Sequence, residues 1–147
     1  MKVLARVQVH TRSKEFRLAG RQVARDFANR VGEVTVEQAR HNVSPGVGPG
    51  PHPHITPHKD TGRLRASIEK RMVEQGFLVV CEVFSTVPYG KDLELGWHTS
   101  TGRFVRYPWL APAVAFAKAR MAAIARSTFR VYFNASAFPV KGRVEIR

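Results

Sequence analysis

The apolar and polar positions fall into stretches of two different periods. Residues 2–10, KVLARVQVH, alternate, with Val3, Ala5, Val7 and Val9 on one side and Lys2, Arg6, Gln8 and His10, together with Leu4, on the other. A period of two predicts a half-buried strand. Phe16, Ala19, Val23, Phe27, Val31 and Val34 then recur at steps of three and four, while Arg17, Arg21, Arg25 and Arg30 take other faces. That spacing predicts an amphipathic helix from about Ser13, a capping residue type, to at least Val31. Gly32 is a point of weakness or a break, beyond which VEQARHNV can extend the helix to about Asn42.

Residues 44–59, SPGVGPGPHPHITPHK, carry five prolines and three glycines, which no regular element accommodates, and are expected to form a mobile flap between two well-formed elements. The next residues, Asp60, Thr61 and Gly62, read as a turn that launches a new element: Asp and Thr accept hydrogen bonds from free N–H groups, and Gly tolerates positive φ. Two apolar runs about the short turn Glu74-Gln75-Gly76 then predict a hairpin with strands near 67–73 and 77–85. The second run, FLVVCEVFS, is apolar on both faces and so belongs in the middle of a sheet.

VPYGKDLELGWH follows as a short helical turn or loop, and 103–109 as a further strand that proline stops. From Leu110 the period returns to helical: Leu110, Val114, Ala117, Met121, Ile124 and Thr128 form one stripe, and Pro112 suits a first helical turn. Beyond it, Phe129, Val131 and Phe133 alternate with Arg130 and Tyr132, and a later run is Gly142–Ile146. The pattern as a whole predicts an α+β fold in a single domain, 1–147. Its antiparallel, hairpin-based sheet of four to six strands is packed by an N-terminal amphipathic helix and a second helix near 110–127. Strand-like extensions, 1–10 and 128–147, flank it.

Charge sharpens this picture. The formal net charge is +13. Residues 1–40 hold nine Lys/Arg against four Asp/Glu, residues 41–97 six against six, and residues 98–147 nine against one, Glu145. Basic ends around a neutral middle point to a basic surface or lumen that meets nucleic acid or an acidic partner, against the simpler alternative of a solvated face. Arg103, Arg106, Lys118, Arg120, Arg126, Arg130, Lys141 and Arg143 are the candidate contacts. One cysteine, Cys81, excludes an intramolecular disulfide and reads as a small core residue. The N-terminal run is interrupted by arginine and lacks a signal-peptide core, and no apolar stretch reaches the roughly 20 residues that span a bilayer. No membrane partner is expected.

The chemistry that the chain lacks is equally informative. His58, Asp60 and Ser67 have no third group that orders them as a triad, and each has a cheaper structural role. Asp92 and Glu94 stand two apart in an expected turn with nothing to mark them as an acid/base pair. His52, His54 and His58 are close enough to suggest zinc or nickel, but proline at 51, 53 and 57 limits their convergence. The expectation is no enzyme, no cofactor and no metal.

Three short motifs remain: DTGRLRASI, VPYGKDLELGWHT and RYPWLAPAVAFA. In this order and spacing they resemble the small head–tail joining or tail-completion proteins of long-tailed bacteriophages, the gene-ten-product-like family related to minor tail protein Z. The matching residues are Asp60, Thr61, Gly62, Leu64, Arg65, Ser67 and Ile68; then Pro88, Tyr89, Glu94 and Gly96; then Pro108, Trp109, Leu110, Pro112 and Ala113. Gly90 stands where that family usually has alanine, Leu95 where an aromatic is common, and Trp109 where phenylalanine is. The resemblance covers about residues 13–125.

It implies a structural virion protein rather than a catalyst. Such a protein is made in the host bacterial cytoplasm and ends in the neck as a homo-oligomeric ring, of six copies by tail symmetry. Its expected partners are copies of itself, adjacent adaptor or stopper rings, a tail terminator or tail tube, and genomic DNA in the lumen. The alternatives are a stand-alone basic nucleic-acid-binding protein and a tail terminator or stopper of the same neck.

Overall fold

The alternation at the N-terminus does form a strand, β1 (Leu4–His10), and its partners lie within its own chain. The computed structural model describes residues 4–10, 17–44, 61–76, 78–132 and 142–146. The remaining elements are α1 (Arg17–Asn42), α2 (Thr61–Ser67), β2 (Ile68–Gln75), β3 (Leu78–Ser85), α3 (Tyr89–Leu95), β4 (Trp97–His98), β5 (Phe104–Val105), α4 (Leu110–Tyr132) and β6 (Gly142–Ile146). The fold is α+β. Four antiparallel strands in the order β2-β3-β1-β6 make the main sheet, and β4 and β5 make a small second one.

The hairpin and the central strand follow the hydrophobic pattern. β2 and β3 turn at Gly76, whose φ of 60° is a conformation that glycine adopts without steric cost. Every residue of β3 after Leu78 is buried. Val79, Cys81 and Val83 face the helices, while Glu82, on the other face, is buried against the Arg71 guanidinium at 2.6 Å.

α1 and α4 lie antiparallel over the sheet: the Tyr132 hydroxyl donates to Asp26 at one end, and Asn42 Nδ2 donates to the Trp109 carbonyl at 2.9 Å at the other. One core cluster gathers Val36, Ala39, Leu64, Ile68, Val83, Trp109, Leu110 and Ala113; a second gathers Phe27, Ala28, Val31, Val79, Cys81 and Ala117. Full burial of a Leu, Ile or Phe side chain contributes about 1.5–3 kcal/mol, so these two clusters dominate what holds the layers together.

Several expectations are corrected. Gly32 does not break α1, which runs across it to Asn42. A Cβ there would sit 2.2 Å from Cys81 Sγ, so the missing side chain is what lets the helix approach β3. Burial also pushes the Cys81 thiol up to about 11. The residues that follow Thr128 are not a strand: α4 continues to Tyr132, and 133–141 lie outside the described residues. The alternation of Phe129 and Val131 loses to the helical stripe, because Ala125 and Thr128 are buried in the helical phase and the Thr128 hydroxyl bonds the Ile124 carbonyl at 2.8 Å. Of the strand expected at 103–109 only the two residues of β5 pair. The terminal strands are not both spare edges, since β1 is bonded on both sides and β6 on one. The Ser13 cap and most of the 44–59 loop lie outside the described residues.

The DTG turn is also different. Thr61 and Gly62 open a short helix, α2, and the strand starts at Ile68. Gly62 is exposed, has no positive φ, and leaves open space where a Cβ would stand. The expectation that this glycine holds a shape other residues resist is therefore overturned. Gly62→Ala will leave stability unchanged or raise it by up to about 1 kcal/mol, the helix preference of alanine. A fall of thermal stability in that variant would contradict the helical placement.

Candidate functional site

The three motifs come together at the N-terminus of α4. A helix start leaves four backbone N–H groups without helical acceptors. Here the fourth position is Pro112, which has no N–H, so three donors remain. Glu94, only 1% exposed, takes all three: its Oε2 accepts from Trp109 N at 2.8 Å and Leu110 N at 2.7 Å, and its Oε1 from Ala111 N at 3.0 Å. A carboxylate at a helix N-terminus also meets the positive end of the helix dipole.

α3 is the element that carries Glu94 to this position, and the chain fixes α3 at several points. Trp109 Nε1 donates to the Gly90 carbonyl at 2.7 Å, Tyr107 N to the Leu93 carbonyl at 2.9 Å, and Arg106 Nε to the Glu94 carbonyl at 2.7 Å. Gly96 closes α3 by donating to the Asp92 carbonyl at 2.7 Å; its φ of 90° with ψ of 164° is backbone that only glycine adopts readily. Gly90 is buried, and a Cβ there would meet Ser85 Oγ at 3.1 Å and Leu64 Cδ1 at 3.2 Å. That contact joins the second motif to the first.

In the first motif, Leu64 and Ile68 are core residues. The Ser67 hydroxyl bonds the Leu64 carbonyl at 2.7 Å and Ser85 Oγ at 2.8 Å. Arg65 is exposed beside a groove between α1 and β2, and Asp60 lies outside the described residues. Pro88 is exposed at the start of α3, Tyr89 packs on the core, Pro108 is half-buried before the helix, and Ala113 is fully buried within it.

These placements determine the available chemistry. Glu94 is a cap and Ser67 a buried structural hydroxyl. Asp92 is exposed and apart from Glu94 in role. His52, His54 and His58 lie outside the described residues; among those described, no group of three His, Cys, Asp or Glu side chains is placed to hold a metal. No helix among the described residues is long and apolar enough to cross a membrane.

The chain matches no family model, no curated protein and no solved structure.

The candidate contact cations divide into two kinds. Arg106 is partly structural, through its bond to Glu94. Arg103, Lys118, Arg120, Arg126 and Arg130 are exposed. Four of these lie on α4, where the Arg120 guanidinium covers the Phe116 ring and Arg126 Nε bonds the Ala122 carbonyl of its own helix. Arg143 stands on β6 opposite Gln8, and Lys141 lies outside the described residues. Leu95 and Phe104 are more than half exposed near the small sheet.

Sequence reasoning placed Glu94 in a motif without finding its task. The available signal was the pairing of a Pro-containing helix start with a carboxylate just before a glycine. It missed Asn42 and Ser85, whose roles depend on residues 67 and 18 positions away. The Trp109 indole N–H offers a direct check. Trp109→Phe keeps the apolar ring but orphans the Gly90 carbonyl, and is expected to lower stability by about 1–3 kcal/mol in urea unfolding. A loss within error would mean that the bond contributes nothing net.

Proposed function

We propose that the chain is a structural protein of a phage neck, a copy of a ring that joins the DNA-filled head to the tail. The observation that carries this reading is the convergence of the three motifs into one interlocked joint whose buried polar side chains, Glu94, Ser67 and the Trp109 indole, are used to set shape. Motifs of an enzyme bring reactive groups to a common space; these bring Glu94, Ser67 and the Trp109 indole into backbone hydrogen bonds. The exposed cations of α4 suit an acidic neighbouring ring or the DNA that passes through the lumen. No catalytic step, cofactor or metal belongs to this reading.

The test is genetic and biochemical. Deleting the gene from the phage or prophage that encodes the chain should yield filled heads and free tails that do not join, and adding the purified protein should restore joining. Normal infectious particles from the deletion would refute the proposal.

A second reading, a nucleic-acid-binding protein outside the particle, draws on the same exposed Lys118, Arg126 and Arg130. It requires that the monomer bind DNA with an affinity that falls steeply with salt, and that charge-neutral variants at these positions lose that slope.

A further inference from the structure

The main sheet has two open edges, and they match each other. Among the described residues no strand lies beyond β2 or beyond β6. Thr86 N bonds the Ser67 carbonyl, and pairs along an antiparallel ladder alternate in direction. Continued through the register of β2 with β3, this alternation turns the N–H and C=O groups of Ile68, Lys70, Met72 and Glu74 outward. Arg40 already donates to the Ile68 carbonyl at 2.8 Å, in keeping with that direction, which leaves the backbone of Lys70, Met72 and Glu74 without a strand partner among the described residues. Carried across β3 and β1 by their registers, the same alternation turns Gly142, Val144 and Ile146 of β6 outward at the other edge.

The charged residues follow suit. The registers place Arg71, Glu82, Arg6 and Glu145 in one row across the four strands, with alternating sign. The row begins with a cation at the β2 edge and ends with an anion at the β6 edge. The β2 edge carries charges, Glu69, Lys70, Arg71 and Glu74. Inward-reaching charges commonly blunt an open edge, but Lys70 reaches Asn29 and Glu33 of α1, and Glu74 pairs with Arg21 and Arg25. Beside this edge lies an open groove of about 610 Å³, lined by Val36, Glu37 and Arg40 of α1 as well as by Glu69.

We infer that the β2 edge and its groove receive strand β6 of a second copy of this chain, antiparallel, with Glu145 opposite the next copy's Arg71. This deepens the ring reading and rests on it for the assembly in which it operates. The register is selected on two counts. It pairs Gly142, Val144 and Ile146 with Glu74, Met72 and Lys70, so every outward group still available on β2 is used. A slip by two residues in one direction sets Glu145 opposite Glu69 and Arg143 opposite Arg71, both like-charged, and brings Ile146 to the carbonyl that Arg40 holds. A slip in the other direction leaves only two hydrogen-bonded pairs. The contact joins different edges of the two copies, so it repeats from copy to copy and closes into a ring when the rotation permits.

Cysteine trapping tests this on the full chain. In the inferred register Val73 and Arg143 of adjacent copies form a non-hydrogen-bonded pair, close enough for a disulfide. Within one copy they stand three strand spacings apart, roughly 14 Å, and cannot be bridged. Oxidising the Val73→Cys/Arg143→Cys variant at high concentration should give a ladder of dimers and larger multimers on non-reducing gels. The slipped pair Arg71→Cys/Arg143→Cys should give much less. In the parent sequence, Val144→Pro removes an outward N–H while sparing the β1–β6 bonds, and should weaken self-association about tenfold or more with little change in melting temperature.

Monomer only, or a stronger ladder from the slipped pair, overturns the inference; so does a Val144→Pro protein that associates normally. A product confined to dimers overturns it as well, since that marks like edges meeting. The two proposals fail separately. Multimers trapped from a protein that is absent from phage particles would leave the edge contact and sink the neck reading, whereas a protein present in particles but never trapped would do the reverse.

Discussion

Replacing Glu94 by alanine is expected to cost about 3–5 kcal/mol, the largest effect of any single polar substitution in this fold. Three N–H groups at the start of α4, two buried and one part-buried, lose their acceptor together, and each buried unsatisfied donor costs about 1–3 kcal/mol before partial relief by water. Glu94→Gln keeps one acceptor oxygen and loses the charge that the helix dipole favours, so a smaller loss of about 1–2 kcal/mol is expected. Glu94→Leu separates capping from packing, because it fills the space without accepting a bond and should be no better than alanine. Urea unfolding of the three variants gives the order. Equal and small losses for all three would show that α4 does not need its cap.

The second large effect is at Gly32, in a different part of the core. Gly32→Ala places a methyl group 2.2 Å from Cys81 Sγ, a contact that rotation of the buried Cys81 side chain or movement of α1 or β3 must relieve. In an exposed helix the same change would stabilise by about 1 kcal/mol; here overpacking should turn it into a loss of about 1–3 kcal/mol. The mechanism makes a sharper statement about the double variant. Cys81→Ala alone removes volume from a buried site, yet in its background the added methyl has room. The two changes together should therefore cost less than the sum of each alone, by about 1 kcal/mol or more. Simple additivity would place the fault elsewhere.

Both sites show what the sequence could and could not reveal. The period of two in β1, the apolar run of β3 and the stripe from Leu110 to Thr128 were legible because each element buries a face and the face imposes the period. Gly32 was misread because a glycine in a helical pattern looks like lost propensity, whereas here it is a contact with a residue 49 positions later. The turn at Thr61–Gly62 was misread because local turn chemistry and the first turn of a short helix use the same residue types. The end of α4 was placed too early, since Phe129 and Val131 favour strands and only packing against α1 decides the matter.

The motif residues were legible as a group from their order and close spacing. Their task was not, because a cap that joins Glu94 to Trp109, Leu110 and Ala111 spans two elements and leaves no local pattern. Lys118, Arg120 and Arg126 were legible as solvent-facing, because they fall outside the apolar stripe, whereas Arg130 was read within a strand. Arg106 was not separable from them, since its bond to the Glu94 carbonyl is a tertiary contact.

The most direct measurement of the neck reading is the position of the chain in the particle. Antibody-gold labelling or reconstruction of purified phage should place it at the junction between head and tail, as a closed ring, and should find none on heads released before tail attachment. Particles without the chain, or label spread along the tail or over the capsid, would contradict it.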